Sequence, residues 1–190
     1  MAPKIFFTAD LHLGHSNVVK YCNRPFQTTE EMNEKLIENR NDTVSDRDEI
    51  YVIGDFAFMG TQQTEVILKH LKGRKYLLRG NHDKSLNETM ALKYFERIKV
   101  YCVLKVQERD HQIQKVVLFH YALRTWDSAP YGAWNLYGHS HGNLKEDPES
   151  LSLDAGVVQW PPRASFSLPS FASAISLEFV SRDFRRSLPL

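Results

Sequence analysis

The chain has 190 residues, 42% of them apolar, and 24 basic against 23 acidic side chains leave a formal charge of +1. That length and apolar share predict one globular domain over 1–190 with its own core, and so even a balance gives no electrostatic footprint for nucleic acid or an anionic membrane. Cys22 and Cys102 are too few for a disulfide framework, and with no apolar run of about 18 residues and no secretory segment before the first strand, a soluble cytoplasmic protein is expected.

Lys4 to Ala9 reads as a short strand feeding Asp10-Leu11-His12-Leu13-Gly14-His15. Asp10 and His12 stand two apart, so on extended backbone both side chains leave one face and one cation can take both. Ser16 caps a short helix through Cys22, which Asn23-Arg24-Pro25-Phe26 breaks. Thr28 with Glu31 forms a capping box opening a helix to Val44, with Met32, Leu36, Arg40 and Val44 at fourfold spacing. Glu49 to Ile53 has the β-branched and aromatic content of a buried strand; Gly54 lets the backbone turn, and Asp55 follows at once. Thr61 to Lys72 reads as an amphipathic helix with Ile67, Leu68 and Leu71 inward and Gly73 at its stop. Lys75 to Leu78 is the next strand and runs into Arg79-Gly80-Asn81-His82-Asp83. Ser85 with Glu88 then opens a helix to Phe95.

After that helix the pattern changes. Lys99 to Val106 and Ile113 to Phe119 read as a hairpin around the polar turn 107–112, and its second strand delivers His120. Asn135 to Tyr137 leads to Gly138-His139-Ser140-His141, and Leu151 to Leu153 is a last short strand. The proline- and serine-rich stretch 157–174 reads as a loop within the domain, and Ser176 caps a final helix through Phe184.

Alternating strands and helices in the first half predict parallel pairing, and the strand-rich second half predicts a second mixed sheet. Five of the strand-like runs end in residues that bind metals. In open α/β sheets such ends gather on one rim, so ligands scattered from position 10 to position 141 can meet. Asp10, His12, Asp55, Asn81, His120, His139 and His141 are seven oxygen and nitrogen donors, too many for one ion of four to six ligands. Two ions sharing a carboxylate fit, since metal pairs in hydrolases lie roughly 3.5 to 4 Å apart. Asp55, at the end of a central strand, is the natural bridge. His139 and His141, roughly 6.6 Å apart along a strand, can serve one ion each.

Asp10-x-His12, Gly54-Asp55, Gly80-Asn81-His82-Asp83, His120 and Gly138-His139-x-His141, in this order, resemble the calcineurin-like metallophosphoesterase family, and the wording around His12 to His15, Tyr21 to Phe26 and Trp134 to Gly142 resembles a compact bacterial and phage branch of it. The resemblance implies an α+β fold, a four-layer α/β/β/α sandwich of two mixed sheets. It implies two divalent metal ions (manganese, zinc, iron or nickel), one on Asp10, His12, Asp55 and His141 and the other on Asp55, Asn81, His120 and His139. It makes His82 the catalytic residue beside the scissile phosphate, and a metal-bridging hydroxide the nucleophile for in-line attack. Protein phosphatases of the family carry an Asp three residues after the bridging Asp, where this chain has Phe58, and their Asp-Arg-Gly signature is absent. The expected substrates are therefore phosphodiesters or small phosphate esters rather than phosphoproteins, and nucleic acid is not indicated as a partner. Arg24, Arg79 and Arg124 are the candidates for holding substrate phosphate. The alternative, a non-catalytic metal-binding scaffold on the same fold, would have shed ligands or His82, and all eight residues are present.

Overall fold

Nine strands among the described residues, 3–107, 113–145, 147, 150–157 and 175–176, pair into two sheets in this computed structural model. The first half supplies β1 (Ile5–Thr8), α1 (Ser16–Tyr21), α2 (Thr29–Thr43), β2 (Glu49–Ile53), α3 (Thr61–His70), β3 (Arg74–Leu78), α4 (Glu88–Ala91) and β4 (Phe95–Lys99). The second supplies β5 (Tyr101–Gln107), β6 (Ile113–Phe119), β7 (Trp134–Tyr137), β8 (Ser152–Asp154) and β9 (Ile175–Ser176). The order β4-β3-β2-β1-β9 makes one five-stranded sheet, parallel except for β9, and β5-β6-β7-β8 makes a four-stranded sheet whose only antiparallel pair is the β5–β6 hairpin.

Strand alternation assigns the faces. Tyr51 and Ile53 of β2 and Leu78 of β3 join Val116, Leu118, Trp134, Leu136 and Leu153 in the core between the sheets. Their neighbours Val52 and Leu77 face the other way, into a second apolar cluster with Val18 of α1, Met32 and Leu36 of α2, Leu68 of α3, and Met90 and Ala91 of α4. Both layers hold β1 and β2 rigid, and the C-terminal ends of those strands open on one rim.

Thr28 caps α2 as expected, its Oγ1 accepting the Glu31 N–H at 3.1 Å, while the Glu31 carboxylate accepts the Gln27 N–H at 2.8 Å. Between 85 and 99 the structure differs from the expectation of one helix to Phe95. Asn87, not Ser85, caps α4 by accepting the Met90 N–H at 2.9 Å. The helix ends after one turn, because Phe95 leaves it to pair with β3 and to bury its ring against Phe56, 5.7 Å away at 89°. Only Val100 then separates β4 from β5, and the chain changes sheets there. Ile175 and Ser176 pair antiparallel with Phe7 and Phe6 on the edge of β1, and the helix expected to follow Ser176 lies outside the described residues. The stretches 108–112, 158–174 and 177–184 lie outside the described residues. Among the described residues no helix is long and apolar enough to cross a membrane.

Candidate metal centre

All seven expected ligands and His82 meet on the rim, carried by the loops after β1, β2, β3, β6 and β7. Two groups form, Asp10 with His12 and His141, and Asp55 with His120 and His139; within each, one ligand atom per residue lies within 4.8 Å of the others. The Asp55 carboxylate stands between them, its Oδ2 3.5 Å from His12 Nε2 and 3.4 Å from His120 Nε2. Asn81 Oδ1 extends the second group, 3.0 Å from His120 Nε2.

The backbone at these positions is unusual for side-chain-bearing residues. Asp10, His12, Asp55, His139 and His141 have φ of 55°, 50°, 54°, 68° and 49°. Left-handed backbone at a non-glycine costs about 1 kcal/mol or more, and persists only where surrounding contacts fix it. Here they do. Asp10 N–H donates to the Gly54 carbonyl at 3.0 Å, His12 N–H to the Asp55 carbonyl at 2.9 Å, and His139 N–H to Asp10 Oδ2 at 2.8 Å. Gly54 and Gly80 are required by close approach: a Cβ on Gly54 would strike the His120 ring, and one on Gly80 would strike Asp55.

Asp83 ties the turn after β2 to the turn after β3. Its carboxylate is fully buried and accepts the N–H groups of Asp55 at 2.8 Å, Phe56 at 2.9 Å and Gly80 at 2.8 Å. His82 donates its backbone N–H to Asp55 Oδ1 at 2.9 Å, and its ring lies 5.3 Å from the His12 ring. Asp154 fastens the loop after β7: Oδ1 accepts the Gly156 N–H at 2.8 Å, and Oδ2 accepts the Gly142 N–H at 3.1 Å and the Ser140 hydroxyl.

The donor set fits cations. Atoms about 2.0 to 2.2 Å from one ion, at mutual angles from a right angle to nearly a straight line, stand about 3 to 4 Å apart. The contacts above fall in that interval, as does the 4.0 Å from Asp10 Oδ1 to His12 Nε2. Asp10 Oδ1, both ring nitrogens of His12 and Nδ1 of His141 are buried without a hydrogen-bond partner, and a bound cation would remove that cost at one atom of each residue. His120 is oriented for the same purpose, since Nδ1–H donation to the Ile53 carbonyl at 2.9 Å turns Nε2 into the site.

The charges point the same way. Burial, reinforced by the Asp154 carboxylate, pushes Asp10 up to about 8, and burial pulls His12 down to about 3 against the attraction of Asp55. His139 and His141 are likewise lowered by burial. Burial also opposes the charged forms of Asp55 and His120, but their mutual contact outweighs it and holds Asp55 below, and His120 above, the usual range. The site thus favours neutral imidazoles at His12, His139 and His141 around an Asp55 carboxylate that stays charged, while His120 is drawn toward its charged form by that carboxylate.

The three arginines are placed differently from the ligands. Arg24 is buried, its guanidinium donating to the carbonyls of Asp10 at 2.5 Å and Leu11 at 2.8 Å. It therefore braces the first ligand loop from beneath instead of facing solvent as a phosphate clamp would. Arg79 donates to the Asp83 carbonyl at 3.1 Å and pairs with Glu88 at 3.1 Å. Arg124 is exposed on the loop after β6. Sequence reasoning missed Asp154, although it ends a strand in the way the metal ligands do. It also missed His15, Phe58 and Tyr121, whose rings border the imidazoles.

Residues 3–161 match the model of the calcineurin-like phosphoesterase family. An uncharacterized protein of Methanocaldococcus jannaschii is 31% identical over 168 residues, 84% of this chain and 85% of its own. Among solved structures, a protein of unknown function from Aquifex aeolicus is similar with a TM-score of 0.58 at 21% identity, over 82% of this chain and 90% of that one. A nuclease from Pseudomonas putida has a TM-score of 0.48 at 19% identity, over 72% of this chain and 61% of that one. With a family match that spans every ligand loop, and a relative aligned along most of both chains, this protein belongs to the calcineurin-like phosphoesterases, hydrolases that act on phosphate esters.

Proposed function

We propose that the protein is a dinuclear, divalent-metal phosphoesterase that hydrolyses phosphodiesters or small phosphate esters rather than phosphoproteins. The observation that carries the reading is the Asp55 carboxylate, with Oδ2 within 3.5 Å of a histidine from each ligand group. Asp10, His12 and His141 would hold one ion with Asp55, and Asn81, His120 and His139 the other. Manganese, zinc, iron and nickel all suit a set of imidazole, carboxylate and amide oxygen donors. When bound, such a pair supplies Lewis acidity, which activates a water nucleophile and offsets charge on the phosphoryl oxygens.

The chain's own residues do the rest. Asp83, Asp154 and Arg24 fix the ligand loops, so little reorganisation is needed when substrate arrives. His82 is held beside the His12 ring by the hydrogen bond from its backbone to Asp55, and we assign it proton donation to the leaving oxygen. Both cysteines are unbridged, which supports a reducing, cytoplasmic compartment.

Metal analysis of three variants after identical dialysis tests this. Asp55→Ala should lose both ions, Asp10→Ala about one, and His82→Ala neither, while His82→Ala slows an alkyl ester by about 10² to 10⁴ and a nitrophenyl ester, with its better leaving group, by less. Equal metal loss from the first two variants refutes the bridge. Metal loss from the third makes His82 a ligand.

A further inference from the structure

Two exposed aromatic rings border the metal centre, Tyr121 against two histidines of one ligand group and Phe58 against His82 and His15. Phe58, 49% exposed, stands edge-on to His82 at 5.7 Å and to His15 at 4.8 Å. Tyr121, 39% exposed, stands edge-on to His139 at 4.7 Å and to His120 at 5.0 Å. From Phe58 the contacts run through His82 and His12 to Asp55, and from Asp55 through His120 to Tyr121. The two rings are the ends of this chain, with the bridging carboxylate at its middle. Neither ring sits on a wandering loop. Phe58 N–H donates to the Leu13 carbonyl at 2.7 Å, next to the Leu13–Ala57 bridge, and Tyr121 packs on Phe119 of β6 at 5.5 Å.

An aromatic ring exposed beside a reaction centre offers a surface on which a planar group can stack. What would cover them follows from the chemistry between them. A phosphodiester centred over Asp55 has two ester substituents, and two of the contact paths from Asp55 end at exposed aromatic rings. Arg24 and Arg79 are engaged with backbone carbonyls and Glu88, so neither is placed to grip further phosphates. Arg124, exposed on the loop after β6, remains for charge, while Phe58 and Tyr121 offer flat, uncharged surfaces.

Resting on the phosphodiesterase reading above, we infer that the preferred substrates are diesters whose two arms both end in a planar heterocycle, such as dinucleoside phosphodiesters, with one base against Phe58 and the other against Tyr121. The near-zero charge of the chain favours such short molecules over a long polyanion, whose binding rests on neutralising many phosphates.

The experiment measures kcat and KM of the metal-loaded enzyme on a diadenosine monophosphate diester and on glycerophosphoethanolamine, a diester without rings. It uses wild type, Phe58→Ala, Tyr121→Ala, and the conservative Phe58→Tyr and Tyr121→Phe, with metal content recorded for each. Stacking acts on bound substrate and transition state alike, so each alanine should raise KM for the dinucleoside with kcat little changed. The preference for the dinucleoside over the ringless diester, as a ratio of kcat/KM, should fall about tenfold per ring removed, and the aromatic variants should restore it. Wild type with no preference for the dinucleoside overturns the inference. So does a fall in kcat on both diesters at unchanged KM, which would mean that the rings only buttress the imidazoles. Turnover of monoesters with none of either diester overturns both this inference and the phosphodiesterase reading beneath it.

Discussion

Asp83 shows how a residue outside both candidate metal groups can fix their geometry. Three N–H groups converge on one buried carboxylate, two of them from the turn that presents Asp55. Burial raises Asp83 above the usual carboxylate range in spite of those bonds, so its charge is kept at some cost. An amide there has one acceptor oxygen and turns N–H against N–H at the other. Asp83→Asn should therefore destabilise the protein by about 1 to 3 kcal/mol, the cost of leaving a buried donor unpaired, and weaken metal retention with it. Chemical denaturation with and without divalent metal measures both, and a variant matching wild type in midpoint and metal content would contradict this role. That the side chains of both candidate groups gather was legible in the sequence, because metal chemistry restricts residue type and the strand ends fix spacing, as in Asp10-x-His12 and His139-x-His141. Asp83 was legible as a motif member but not as a backbone acceptor. Arg24 was misread for a related reason, since a guanidinium satisfied by the carbonyls of Asp10 and Leu11 looks in sequence like one waiting for phosphate.

The strand-to-loop junctions, more than the helices, define the site. β8 contributes no ligand, yet its terminal Asp154 binds the loop after β7 at Gly142 and Ser140 and so holds His139 and His141 in left-handed backbone. Asp154→Asn keeps the size of the side chain but weakens acceptance at both positions. Loss of such a supporting partner typically weakens metal binding about 10- to 100-fold; competition titration with a chelating dye should find that loss, and Ser140→Ala should give a smaller part of it. Affinity unchanged in Asp154→Asn would show that the loop holds its shape unaided. Strands with β-branched and aromatic runs, and the capped helix α2, could be read directly from residue pattern. The segment from Ser85 to Lys99 could not, because two serviceable caps compete there and the choice falls on Asn87 only once Phe95 has a ring, Phe56, to bury against. β9 was equally hidden, since two residues on a free edge carry no period.

For the whole molecule, the apo site is a source of instability that depends on pH. Asp10 rises from 3.8 to about 8 on folding, so the stability it allows is complete below 3.8 and is lost as pH climbs through 8. His12 falls from 6.5 to about 3, so its contribution is complete above 6.5 and is lost as pH drops through 3. No pH satisfies both residues, whereas a bound cation favours charged Asp10 and neutral His12 together. Between pH 6.5 and 8 Asp10 still tilts the balance, joined by His120, which Asp55 holds above its usual range against burial and whose contribution likewise falls with rising pH. In that window the melting temperature of chelator-treated protein should fall with rising pH, the increment on adding metal should widen, and Asp10→Asn should flatten the metal-free slope. Thermal melts at three pH values suffice, and a wild-type slope equal to that of Asp10→Asn would remove Asp10 as its cause.

The hydrogen bond from His139 N–H to the Asp10 carboxylate joins residues 129 positions apart. During synthesis this span has a temporal meaning. One ligand group draws on positions 10, 12 and 141 and the other on 55, 120 and 139, so a growing chain carries no finished ion site until its third quarter has emerged. Doubling a loop adds only about 0.6 kcal/mol to the entropy of closing it, so the distance is tolerable at equilibrium. It is felt in the rate, because pairings distant in sequence form slowly. Completion of either candidate site is then among the last events in the making of this protein, and until it happens the nascent chain holds only part of each donor set.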